Sequence, residues 1–327
     1  NTLIGSEAGD ALTDADFNVA VGNFALSADT LGSKSVAIGR AALTSQNFTT
    51  ATDTYNVAVG YDAGVSVTTG IENTLVGGLA GDAITTGSQN VALGYLALSS
   101  DDLGSDSVAI GKGALENQNY TTATNSYNTA VGRDAGNDVT TGVENTLVGG
   151  LAGDAITTGN ENTALGKSAM SANTNGRRNT ALGHSTLAVY NHTTGTNAYN
   201  VAVGYNAGAA VTTGVENTII GGLAGDALTD ADFNIALGWG ALNSDTLGSK
   251  SVAIGTGALF TQNFTTATDS FNTAVGHDAG AAVTTGQYNT FLGGQAGDAT
   301  TSGNNNVAMG YESFTTNILS DRNVAIG

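Results

Sequence analysis

Few residues in this chain have the type and spacing that catalysis or metal binding requires. The 327 residues include no Cys and only three His, namely His184, His192 and His277, which lie far apart in the sequence. Disulfides and Cys-based zinc sites are therefore excluded, and no Ser, His and Asp form a local catalytic pattern. We expect no catalytic residue, no cofactor and no metal site, and hence a protein that is not an enzyme.

Two pairs of Asp residues are the features of this sequence that most resemble a cation site. Asp14 with Asp16 and Asp230 with Asp232 lie in two ALTDADF segments, and each pair could chelate a divalent ion. Carboxylates in polar turns are, however, usually solvated and serve solubility. Two GGLAGDAIT segments, 77–85 and 149–157, resemble calcium-binding nonapeptides, but such sites need copies in direct tandem, and these two copies are far apart. Neither pattern predicts a dedicated metal site.

The charge balance excludes two classes of partner. The chain has 9 Lys plus Arg against 28 Asp plus Glu, a net charge of −19. This charge repels phosphate backbones and anionic membrane surfaces. No apolar run approaches the roughly 20 residues that a membrane-spanning helix needs. We therefore expect neither nucleic-acid binding nor membrane insertion.

The elements that hold these residues are dictated by an internal repeat. The motif Asn-(Thr/Val)-(Ala/Leu)-(Val/Ile/Leu)-Gly, with minor variants, recurs nineteen times, and three 17-residue units with one 21-residue unit make a 72-residue super-repeat. The motifs begin at residues 1, 18, 35, 56, 73, 90, 107, 128, 145, 162, 179, 200, 217, 234, 251, 272, 289, 306 and 323. No linker or change of composition interrupts them. The pattern predicts one continuous repetitive array over 1–327.

Each motif has the character of a short strand buried on both sides. Counting the motif Asn as coil position 1, position 2 is β-branched in every copy, position 4 is aliphatic or Met, and position 5 is always Gly. Position 3, on the opposite side of the strand, is Ala in fourteen copies. Apolar residues on both strand faces indicate a strand covered on both sides. No unit has helical periodicity.

A 17-residue unit without a helix fits one coil of a parallel β-solenoid. We expect 17-residue and 21-residue coils, each with about two strands of some five residues, stacked about 4.8 Å apart. Position 1 is Asn in sixteen copies and Ser in three, which predicts an amide ladder that sets the register. Position 5 predicts a turn with positive φ or a crowded backbone approach.

So narrow a coil buries little apolar surface, which predicts self-association. We expect a parallel homo-oligomer, a homotrimer, whose Ala-rich strand face packs toward neighbouring chains. The Ala residues expected at or near these interfaces are Ala37, Ala58, Ala109, Ala130, Ala202 and Ala274.

The segments NVAVGYDAG, SVAIGRAAL, SVAIGKGAL and GNNNVAMGYESF resemble the repeats of phage tail-fibre proteins. Their SVAIG core is also similar to the head repeats of trimeric autotransporter adhesins. The resemblance covers the whole chain and implies a trimeric parallel β-roll with an attachment function, outside the cell, on a virion or a bacterial surface. Such fibre proteins often end in a cleavable chaperone domain.

Three functions are compatible with these features. The first is a structural fibre shaft that spaces and supports attachment to a host or surface. The alternative is the head of a bacterial trimeric surface adhesin. A polysaccharide-degrading solenoid enzyme is less favoured, because the Asp and Glu residues fall in turns of narrow coils rather than in a wide groove.

The 21-residue coils carry the only sequence signal for a contact surface. Each long coil brings an aromatic pair into a chain with few aromatic residues, and aromatic rings beside Asn and Thr are typical of saccharide-binding surfaces. The candidate contacts to a cell-surface glycan or protein receptor are the pairs Phe48 with Tyr55, Tyr120 with Tyr127, Tyr190 with Tyr199, and Phe264 with Phe271. The alternative is that these rings cap the enlarged core or pack on a neighbouring chain.

Overall fold

The computed structural model describes all 327 residues as strands and turns, without a helix. The chain divides into two compact units, Asn1–Glu161 and Asn162–Gly327. Each unit is a parallel β-solenoid of 17-residue and 21-residue coils, so the predicted fold class is confirmed. The structure contains no helix with the length and apolar character needed to cross a membrane.

The first unit has nine three-residue strands, one in each motif. Neighbouring strands pair in parallel and in register, so that Val57 lies opposite Thr74 and Ala58 opposite Leu75. Two further parallel pairs of two-residue strands connect a long coil to the coil before it. The nine strands are Thr2–Ile4, Val19–Val21, Val36–Ile38, Val57–Val59, Thr74–Val76, Val91–Leu93, Val108–Ile110, Thr129–Val131 and Thr146–Val148. The short strands are Gly32–Ser33 with Thr52–Asp53, and Gly104–Ser105 with Thr124–Asn125.

The second unit repeats this arrangement with ten three-residue strands and one short pair. Val201 lies opposite Thr218, and Val203 lies opposite Ile220. The ten strands are Thr163–Leu165, Thr180–Leu182, Val201–Val203, Thr218–Ile220, Ile235–Leu237, Val252–Ile254, Thr273–Val275, Thr290–Leu292, Val307–Met309 and Val324–Ile326. The short pair is Gly248–Ser249 with Thr268–Asp269.

A 17-residue coil contains one three-residue strand, so the expectation of about two five-residue strands per coil is wrong. The reason is a set of left-handed backbone positions. The residue before the motif and those at positions 7 and 9 have φ near +50° to +65°, as Tyr55, Asp62 and Leu43 illustrate. Left-handed residues end an extended segment, and they turn the chain tightly enough to close the coil.

The predicted Asn ladder is confirmed, and it works mainly through the backbone. The Asn73 side-chain oxygen accepts from the backbone N–H of Asn90 in the next coil at 3.0 Å. Its amide nitrogen donates to the carbonyl of Gly87 at 2.9 Å. All three residues are buried. Where position 1 is Asn, the amide thus ties its coil to the next and sets the register; after Ser35, the Asn56 N–H donates instead to the Thr54 hydroxyl.

The position-5 Gly meets both conditions predicted for it. Gly94 has φ +141°, and a Cβ atom there would lie 2.6 Å from the carbonyl oxygen of Gly111 in the next coil. Any side chain at this position would therefore force neighbouring coils apart.

Candidate functional site: the outer sheet face and the exposed rings

The outer sheet face consists of the side chains at positions 2 and 4, which point away from the coil interior. Most are half-buried or exposed in the chain; Ile38, Leu93 and Leu165, for example, keep 38%, 44% and 48% of their surface accessible. Positions 2 and 4 are Thr, Val, Ile, Leu or Met in all nineteen motifs. An uncharged surface that is apolar at position 4 in every coil is typical of an interaction site.

The Ala face, in contrast, lies inside the chain that carries it. The prediction that these Ala residues face neighbouring chains is wrong, because they line the interior of their own coil, as the larger Leu75 and Phe291 do at the same position of other coils. The six residues concerned, each with no exposed surface, are Ala37, Ala58, Ala109, Ala130, Ala202 and Ala274. Any neighbouring chain must therefore meet positions 2 and 4 instead.

The first ring of each predicted aromatic pair is a core residue. Tyr120, for example, donates from its hydroxyl to the carbonyl of Gly142 at 2.8 Å, and burial raises the pKa of this phenol. The four first rings, Phe48, Tyr120, Tyr190 and Phe264, are at most 7% exposed. The prediction that these four rings contact a receptor is therefore wrong. They fill the enlarged interior of the long coils.

The second ring of each pair is exposed, and most have a cation beside them. Lys34 places its Nζ 5.0 Å from the centre of the Tyr55 ring and donates to its hydroxyl at 3.0 Å. Lys250 lies over Phe271 in the same way, at 5.2 Å, and Arg178 over Tyr199, at 5.6 Å. The four exposed rings, 47% to 57% accessible, are Tyr55, Tyr127, Tyr199 and Phe271.

Phe271 belongs to a short column of side chains, because the residue before the motif holds the same position in successive coils. Phe271 stacks on Tyr288 with ring centres 5.6 Å apart and planes 13° apart, and Lys250 lies over the same ring from the preceding coil. Stacked neighbours cover ring faces. Phe271 therefore has little free ring face to offer a sugar.

A buried polar network supports three of the four long coils. The Asp101 carboxylate accepts from the Gln118 side chain at 2.6 Å and from the backbone N–H of Gly104 at 2.9 Å. Gln118 also donates to Ser107 and accepts from Asn128, both at 2.8 Å. Burial raises the pKa of Asp101. The same contacts recur around Asp29 with Gln46 and around Asp245 with Gln262.

The third long coil along the chain, 179–199, lacks this network, and its coil positions correct the way its aromatic residues were paired with those of the other long coils. Tyr190 holds coil position 12, which is Gln in the other long coils, and His192 holds position 14, which is Phe or Tyr. The Asp of the preceding coil is here Asn173. Tyr190 therefore corresponds to Gln46, and not to Phe48 as the pairing of aromatic residues assumed.

The acidic pairs take part in contacts between coils. Asp230 accepts from the Thr213 hydroxyl at 2.6 Å, and Asp232 accepts from the backbone N–H of Val215 at 2.8 Å. In the other pair, Asp16 donates its backbone N–H to the Ser33 hydroxyl at 2.9 Å. Asp230 and Asp232 thus complete hydrogen bonds of the turns.

Comparison with known proteins gives no match for this sequence: no protein-family model matches it, and no curated protein matches it either. The proposed function therefore rests on the geometry and on the resemblance of the repeat described above.

Proposed function

We propose that this chain is the repetitive shaft of a homotrimeric fibre in which parallel copies meet through their outer sheet faces. The observation that carries the proposal is the outer sheet face, which is without charge in all nineteen motifs and apolar at position 4 in each of them, although the chain has a net charge of −19. Copies that repel each other elsewhere can meet there without burying a charge.

The spacing of the coils favours a second copy of the same chain as the occupant of this face. The motif strands pair in register across short and long coils alike, so a partner stays level with this face over many coils only if its own strands have the same regular stacking, as a copy of this chain does. Parallel copies in register meet that condition. Three copies are proposed because the coil is narrow, and because the resembling fibres and adhesins are trimeric.

The shaft would space and support attachment, outside the cell, on a virion or on a bacterial surface. The exposed rings Tyr55, Tyr127 and Tyr199 recur at intervals of one super-repeat and would add contacts to a glycan or protein receptor. Such contacts are weak singly, and their strength would come from the number of copies.

A charged substitution on the outer sheet face tests the trimer. Val203→Lys places a charge on that face, and Thr212→Lys places the same charge in an exposed turn of the same coil. We expect sedimentation equilibrium to show loss of the trimer for Val203→Lys only, with the far-ultraviolet circular dichroism of both variants unchanged. A trimer that survives Val203→Lys would contradict the proposal.

A further inference from the structure

We infer that the second unit carries a binding groove for a neutral saccharide, built around Trp239 and Phe260. The groove has a volume of about 480 Å³, within the roughly 300–1,000 Å³ typical of small-molecule sites. Its residues all belong to one chain, so the inference is independent of the proposed trimer. They lie at coil positions 6, 7, 10 and 11, outside the strand that forms the outer sheet face.

Two departures from the repeat meet in this groove. Trp239 is the only Trp of the chain, and Phe260 is the only aromatic residue at position 10 of any coil. Although they come from successive coils, their ring centres lie 6.3 Å apart with planes 19° apart. Trp239 keeps 54% of its surface accessible. The two rings form a broad apolar wall.

The floor of the groove is open because two neighbouring coils lack a side chain at position 7. These residues are Gly240 and Gly257, where most coils have a side chain. A Cβ atom at Gly240 would lie 3.0 Å from the Phe260 ring, and one at Gly257 would collide with the Asp278 carboxylate. Both glycines are therefore required by the rings and the carboxylate that line the groove.

The corresponding place in the second super-repeat is filled. There, Glu116 replaces Phe260 and Asn137 replaces Ala281. The Asn137 amide donates to Glu116 and to the carbonyl of Gly113, both at 3.0 Å. These side chains occupy the space that the fourth super-repeat leaves open.

The polar lining offers mainly hydrogen-bond acceptors. The Asp278 carboxylate lies above Gly257, and a buried oxygen of Asp298 has no hydrogen-bond partner. Gln295 adds an amide at a position that is Leu in three of the equivalent coils. Asp82 and Asp154 also have an unpartnered oxygen, so this oxygen alone does not define a site. What distinguishes Asp298 is that it lines the same groove as Trp239 and Phe260.

These groups fit a neutral sugar. The C–H face of a pyranose ring packs on aromatic rings, while its hydroxyls donate to carboxylates and exchange hydrogen bonds with an amide. Two carboxylates repel sialic acids and uronates. Thr256 stands where equivalent coils have Arg40, Lys112 and His184, so the groove lacks an Arg or Lys at that position. The basic side chain beside the Asp278 carboxylate is His277, whose Nδ1 lies 3.1 Å from it.

Trp239 fluorescence tests this inference directly because the chain has no other Trp. The full chain is titrated with maltotetraose, cellotetraose and a β-1,4-galactan tetramer, and with sialyllactose as the anionic comparison. We expect a saturable change in emission with at least one neutral sugar, and binding of sialyllactose at least tenfold weaker.

Two variants copied from the chain's own repeats make the test specific. Phe260→Glu introduces the residue of the second super-repeat, and Gln295→Leu introduces the Leu of the equivalent coils. Each should weaken binding at least tenfold with an unchanged thermal midpoint and sedimentation mass, whereas Tyr288→Ala, an exposed ring outside the groove, should bind as the parent does.

Three results would overturn the inference. One is that no neutral sugar gives a saturable response at millimolar concentration. Another is that Phe260→Glu and Gln295→Leu bind the sugar as tightly as the parent chain does. The third is a shift of Trp239 emission when the sugar-free protein is diluted until it dissociates, which would assign the groove to a second copy of the chain.

Discussion

Removing one amide of the Asn ladder should destabilise the solenoid far more than removing an exposed polar group. Asn73→Ala deletes the acceptor of the Asn90 N–H and the donor to the Gly87 carbonyl, and it leaves both backbone groups buried without a partner. An unsatisfied buried polar group costs about 1–3 kcal/mol. Two such groups should therefore lower the free energy of unfolding by about 2–6 kcal/mol. The matched control, Thr86→Ala in an exposed turn of the same coil, should stay within about 0.5 kcal/mol.

Urea unfolding followed by circular dichroism measures this difference, with all variants at one protein concentration. Because the stability of a solenoid is a sum over neighbouring coils, the loss should also be local. Hydrogen exchange measured by mass spectrometry should accelerate most in peptides from 73–106. If Asn73→Ala and Thr86→Ala unfold within about 0.5 kcal/mol of each other, the limit for ordinary surface substitutions, the ladder does not stabilise the fold as argued.

Two further predictions concern the glycines and the carboxylates. Gly94→Ala should lower stability by more than about 2 kcal/mol, because it adds left-handed strain to a backbone collision. Gly78→Ala, where a Cβ atom would meet only Tyr95 at 3.6 Å, should change stability by less than about 0.5 kcal/mol; equal effects in urea unfolding would refute this. Burial raises the pKa of Asp82, Asp154 and Asp298 above the ordinary 3.8. The native state therefore binds these protons more tightly than the unfolded state, and stability should rise as the pH falls through the raised values toward 3.8. Thermal midpoints measured across this pH range should show the rise in stability, and replacing all three residues by Asn should reduce it. If the Asn variant shows the same rise as the parent chain, the effect belongs to other groups.

The period, the strand in each motif and the Asn ladder were predictable because each depends on residue type at a fixed spacing. The Gly at position 5 was predictable for the same reason. In a stacked fold, an identical position in every coil meets an identical environment, so the repeat itself carries the structural information.

Hydrophobicity alone did not predict which face of the strand points into the coil and which points outward. Positions 2, 3 and 4 are all apolar apart from Thr, and alternation alone leaves open which side is inside. The structure places position 3 inside, where Ala is buried in most coils and Leu75, Ile219 and Phe291 are buried in others, whereas the side chains at positions 2 and 4 lie outside. The left-handed residues were hidden as well, because Tyr55 and Leu43 are not residue types that indicate positive φ.

For the aromatic residues, the sequence gives the position of each ring in its coil but not the distances between rings. Counting coil positions rather than pairing rings would have placed Tyr190 at the position of Gln46. Trp239 and Phe260 were also visible as departures from the repeat. What the sequence does not contain is their distance, because two residues of successive coils meet only once the coils are stacked.

The mass of the assembled protein tests the central claim most directly. Sedimentation equilibrium of the unmodified chain should give about 97 kDa, three times the chain mass of 32.4 kDa, and this mass should persist on dilution to low micromolar concentration. A folded species of 32.4 kDa with the circular dichroism of an intact solenoid would contradict the claim that the outer sheet face is covered by further copies of this chain.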